Sequence, residues 1–134
     1  MRGRMKYAVL LIAVCITGLF LASCDGGITL EGTVYEWTDA PTSLEGIIYI
    51  DEEVDLSGKN LQPLNEIQLS TTYSAETARS DSTGYIYLDD MGAPGFMNVT
   101  LTAEKEGYHT VAKSFSHKGS NLGYNVIIIM VRDE

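Results

Sequence analysis

The stretch Asp81-Ser-Thr-Gly84-Tyr85-Ile86-Tyr87-Leu88-Asp89 decides how the rest of the chain is read. Its first four residues are turn chemistry. The aspartate can accept bonds from the turn amides, and the glycine can take a positive φ without steric cost. The next five residues alternate, with Ile86 and Leu88 on one side and Tyr85 and Tyr87 on the other. That is the period of a half-buried strand. The same pattern extends in both directions. Upstream, Glu66–Tyr73 places Ile67, Leu69, Thr71 and Tyr73 on one face. Downstream, Asn98–Glu104 places Val99, Leu101 and Ala103 on one face, and Thr110–Ser116 is a further strand. Leu122–Val131 closes the series; its run Val126-Ile-Ile-Ile-Met-Val131 is apolar on both faces, as a central or covered strand requires. Near the start, Ile28–Trp37 sets Ile28, Leu30 and Val34 against Tyr35 and Trp37, and Gly46–Asp51 is a short strand. Helical spacing is absent. About seven or eight strands with turn signals between them predict an all-β sandwich. Its expected core is Ile67, Leu69, Ile86, Leu88, Val99, Leu101, Val126 and Ile128.

The first 23 residues read differently. Arg2, Arg4 and Lys6 form a positive segment, and an uncharged apolar run from Tyr7 to Ala22 follows. This is the pattern of a secretory signal, a hydrophobic helix preceding the sandwich. The run is short for a retained membrane span of about 20 residues, and small residues close it. The 134 residues less these 23 leave 111, enough for one domain with its own core. Without Arg2, Arg4 and Lys6, six basic residues face 18 acidic ones, a net charge of −12. A domain this acidic repels phosphate backbones and anionic membranes alike, so nucleic acid is not an expected partner. Cys15 lies in the signal and Cys24 beyond it, so the mature chain has no second cysteine for an internal disulfide.

Two resemblances add to this. Leu21-Ala22-Ser23-Cys24 resembles the lipobox of bacterial lipoproteins. The resemblance implies recognition of Leu21, Ala22 and Ser23 by signal peptidase II, cleavage after Ser23, and a diacylglyceryl group on Cys24. It implies an exported, lipid-anchored protein of the cell envelope; a second acyl chain would make that anchor firm. Asp25 resembles the inner-membrane retention signal of enteric-type lipoproteins. Residues 24–27 would form a short tether and residues 28–134 the domain. From about Gly32 to Met130, the chain resembles a carboxypeptidase regulatory-like domain, a transthyretin-like Greek-key β-sandwich. The likeness rests on Gly32-Thr-Val34, Pro63-Leu64-Asn-Glu-Ile67-Gln-Leu69, the stretch Thr77 to Leu88, Val99-Thr-Leu101-Thr-Ala103-Glu-Lys105-Glu-Gly107-Tyr108, and Asn125-Val-Ile127-Ile-Ile-Met130. Tyr35–Gln62 is longer than the usual connection in that family.

Catalytic signatures are sparse. The transthyretin-related hydrolase ends Tyr-Arg-Gly-Ser, whereas this sequence ends Val131-Arg-Asp-Glu134, and neither His109 nor His117 opens a His-x-x-Glu zinc motif. Both histidines are expected at the polar surface. The acidic groups Asp51–Glu53 with Asp55, and Asp89–Asp90, lack the spacing of a calcium loop and read as solvated surface. No metal or other cofactor is expected, and the protein is expected not to be an enzyme. The aromatic residues carry the strongest hint of binding. Tyr35, Trp37, Tyr49, Tyr85 and Tyr87 are candidates for an outward aromatic strip that anchors a protein partner or stacks on carbohydrate. In the competing reading, the segment 38–62 folds over Tyr35 and Trp37 as a second small core, with Gly46–Asp51 packed beside or over Ile28–Trp37 and partly burying Trp37. The function expected first is a non-catalytic, lipid-anchored envelope module that binds or scaffolds another envelope protein. A carbohydrate-binding lipoprotein comes second, and an enzyme last.

Overall fold

The computed structural model describes residues 27–72, 75–90, 95–119 and 122–133. The signal segment and Leu21, Ala22, Ser23 and Cys24 lie outside the described residues, as does Tyr73. Nine strands and no helix are found among them: β1 (Ile28–Trp37), β2 (Gly46–Ile50), β3 (Leu61–Pro63), β4 (Gln68–Thr71), β5 (Thr77–Arg79), β6 (Tyr85–Asp90), β7 (Gly95–Glu104), β8 (Val111–Gly119) and β9 (Leu122–Met130). They form two sheets. One runs β2-β9-β1-β3, with β6 also paired to β1, and the other runs β5-β4-β7-β8. All pairings are antiparallel except β1 with β9, which is parallel from Ile28↔Leu122 to Glu36↔Met130.

The all-β sandwich is what strict alternation demands, because each strand has one apolar face to hide. All eight residues expected in the core are there, none more than 3 % exposed. Ile28, Leu30, Val34, Ile48, Ala103 and Met130 join them. The turn before β6 also forms as its chemistry requires. Asp81 Oδ1 accepts from the Thr83 amide (2.9 Å), the Thr83 hydroxyl (2.6 Å) and the Tyr85 amide (3.0 Å). The Thr83 hydroxyl bond, foremost among these, holds the Asp81 carboxyl below the usual carboxylate range. Gly84 takes φ 80°, and a Cβ there would lie 2.5 Å from the Val34 carbonyl oxygen, so glycine serves both the turn and the close approach to β1.

Three expectations need correction. Gly46–Asp51 does not lie next to Ile28–Trp37: β9 stands between β2 and β1. The doubly apolar β9 takes that central slot, and Asp51, at φ 51°, ends β2 by exchanging bonds with the Asn125 backbone. β3 and β5 add to the expected count. Each has only three residues, too few to show a period, and β3 ends in Pro63 as an edge strand can. His117 is not at the surface. It is fully buried, its Nδ1 3.1 Å from the Tyr124 hydroxyl and its Nε2 without a partner. The other inward positions of β8, Val111 and Phe115, share its parity, so strand geometry carries His117 inside.

Candidate binding surface

Strand register places the five candidate aromatics on one surface. Tyr35 and Trp37 on β1, Tyr49 on β2, and Tyr85 and Tyr87 on β6 all point away from the sandwich interior, because each is offset by one from a buried inward residue. Across the sheet, Tyr85, Thr33, Ile127 and Tyr49 form one row, and Pro63, Tyr35, Ile129 and Ile47 form the next. The strip expected from sequence is therefore the outer face of a single sheet.

That face has two halves. Ile129 lies on it, outside the main core cluster, yet is fully buried. After β2 at one edge, the chain must reach β3 at the opposite edge, across β9 and β1, within residues 51–60. The interior is filled, so this connection runs over the outer face. Val54 and Leu56 are half-buried there, and Lys59 reaches the Trp37 ring, with Nζ 5.5 Å from its centroid. Trp37 is accordingly half-buried beneath part of the segment 38–62, as the competing reading expects, though not beneath β2. Tyr35 and Tyr49 are also half-buried. The other half of the face, toward the start of β1, is open: Tyr85 is 42 % and Tyr87 47 % exposed. Partial desolvation, with the Glu31 carboxylate nearby, pushes the Tyr85 phenol above its usual range.

At the far end of β1, the sheet opens into a cleft of about 400 Å³ lined by Glu36, Trp37, Thr38, Leu44, His109, Arg132 and others. Its floor is made by two chain segments locked side by side. The His109 amide donates to the Val131 carbonyl (3.0 Å), and the Asp133 amide donates to that of Gly107 (2.9 Å). Gly107, at φ 87°, makes the turn that brings them together. Glu36 is 7 % exposed, and its Oε1 accepts from the Tyr108 hydroxyl and from Arg132 Nε at 2.8 Å. The Tyr108 hydroxyl thus faces a buried carboxylate rather than water. Arg132 also lies over the Tyr108 ring, 5.3 Å from its centroid. Sequence reasoning missed Glu36, Tyr108 and Arg132 as a unit. The available signal was parity: Glu36 falls at an inward position of β1, two past Val34, where a carboxylate requires partners.

This unit gives a pH prediction. Burial first, and then the bond to Glu36, push the Tyr108 phenol up to about 12, above its ordinary 10. The folded state therefore holds this proton more tightly than the unfolded state. The resulting stability is fully present below pH 10 and is lost as pH rises through the window from 10 to about 12. Alkaline unfolding followed by circular dichroism is expected to show a stability decline in this window that Tyr108→Phe flattens; equal slopes in the two proteins would contradict the assignment.

No family model matches the chain, and no curated protein matches it in sequence.

Proposed function

We propose that the mature chain is a non-catalytic module of the carboxypeptidase regulatory-like type, tethered to a bacterial envelope membrane through lipid on Cys24. In this reading, the open half of its outer sheet face binds another envelope protein. The observation that carries it is the pair Tyr85 and Tyr87, the large hydrophobic residues that remain exposed among the described residues. They are two apart on one strand, about 7 Å, and stand on a rigid sheet. Tyrosine offers apolar area and a hydroxyl at little entropic cost, which suits a protein interface. Tether length agrees with this. Only Asp25, Gly26 and Gly27 separate Cys24 from β1, a reach of about 10 Å, and Tyr87 pairs with Glu31 near that same end. A partner on this face would itself lie at the membrane.

The test is affinity capture of the full-length protein from detergent-solubilised membranes. One envelope protein is expected to co-purify, and Tyr85→Ser with Tyr87→Ser is expected to lower its yield about tenfold or more. Equal capture by both proteins would contradict the reading. Lipidation is checked separately. Cys24→Ser is expected to leave an unprocessed precursor, whereas the wild-type N-terminus is expected to be Cys24 carrying a diacylglyceryl group by mass spectrometry. A mature protein beginning elsewhere would contradict it.

A further inference from the structure

We infer that the cleft at the end of β1 is a second binding site, for a neutral polyhydroxylated ring such as one hexose unit of a glycan. It is separate from the open tyrosine pair, because Trp37 lies four residues beyond Thr33, the partner of Tyr85. Its volume of about 400 Å³ falls within the usual range of small-molecule sites, roughly 300–1,000 Å³.

Trp37, which lines the cleft, is held in place. Trp37 Nε1 donates to Asp39 Oδ1 (3.0 Å), while Asp39 Oδ2 accepts from Asn60 Nδ2 (2.7 Å). The Thr38 amide donates to the Asn60 carbonyl at 3.1 Å. Lys59 lies over the Trp37 ring, and Trp37 but not Lys59 lines the cleft. An indole fixed in this way loses little freedom when a ligand stacks on it. The C–H bonds on one face of a sugar ring are matched to the negative face of an aromatic ring.

Polar groups line the rest of the cleft. Glu36 Oε1 takes both the Tyr108 and the Arg132 bonds, Oε2 takes neither, and the residue lines the cleft. Arg132 commits only Nε and its side chain is 70 % exposed, so its terminal amino groups remain for a ligand. Thr38, Thr42, His109 and Asp133 add donors and acceptors around the same space. A hydroxyl that both donates and accepts can use a carboxylate and a guanidinium together.

Charge favours a neutral ligand. Glu36 and Asp133 would repel an anion, and Arg132 would repel a cation. A neutral ring meets neither penalty.

Trp37 is the only tryptophan of the chain, so its emission reports on this site alone. Full-length protein in a non-glycosidic detergent is titrated with cellotriose, chitotriose and maltotriose up to about 10 mM, the range of a weak single-ring site. At least one sugar is expected to shift Trp37 emission saturably and to protect it from acrylamide. Calorimetry is expected to give the same affinity. Trp37→Ala is expected to weaken binding about tenfold or more, and Thr42→Ala to weaken it less, both in protein with a wild-type circular dichroism spectrum. Tyr85→Ser with Tyr87→Ser is expected to leave sugar binding unchanged, which separates this site from the protein-binding face. No saturable response to any of the three sugars would overturn the inference. So would a calorimetric signal that survives Trp37→Ala or is lost with the tyrosine pair.

Discussion

Gly32→Ala is expected to destabilise the domain by about 4 kcal/mol or more, enough to unfold many domains of this size. The cause is steric. A Cβ on Gly32 would sit 1.7 Å from the Val126 carbonyl oxygen and 2.7 Å from its carbon. Both are backbone atoms of β9, at the point where Gly32 and Val126 are in register. No side chain can turn aside to make room. Strands β1 and β9 would have to separate in the middle of the parallel ladder that joins the two halves of their sheet. Gly32 has no positive φ, so conformational preference contributes little and packing contributes nearly all of the effect. Urea unfolding of the variant is the check. A midpoint within the range of surface substitutions, roughly half a kilocalorie of stability, would show that the two strands do not approach this closely.

Leu101→Ala is expected to cost about 2–5 kcal/mol and to lower the melting temperature by on the order of 15 °C. Leu101 is fully buried at the centre of β7, in register with Thr71 on one side and Lys113 on the other. The site is held by strands on both flanks and by the opposing sheet, so it can collapse only in part around the lost volume. Thermal unfolding by circular dichroism would measure it. A loss below about half a kilocalorie would place Leu101 outside the core.

The sandwich was legible because alternation is a local signal. Ile86 and Leu88, or Val99 and Leu101, declare their strand and its buried face within a few residues. The order of strands in the sheet was less legible, because it depends on partners far apart in sequence. β2 joins β9 rather than β1, and a short apolar run such as Ile47–Ile50 does not encode its neighbour. The two three-residue strands have too few positions to express a period.

The candidate surface divides in the same way. Parity predicts that Tyr35, Trp37, Tyr49, Tyr85 and Tyr87 face outward, and register brings them to one face. Their unequal exposure follows from the path of residues 51–60 across the sheet, which parity does not specify. Glu36, Tyr108 and Arg132 are 72 and 96 residues apart as measured from Glu36, and they meet only in the folded chain. His117 shows the reverse case: strand parity carries it inside, and the polar composition around it disguised that.

Docking of a protein on the open tyrosine face at the membrane is tested most directly by crosslinking in place. A photoreactive residue is placed at position 87 of the full-length chain and activated in intact membranes. Ala112, exposed on the opposite sheet, carries the same group as a control. One discrete adduct with a second envelope protein is expected from position 87 and none from position 112. No adduct from position 87, or the same products from both positions, would contradict it.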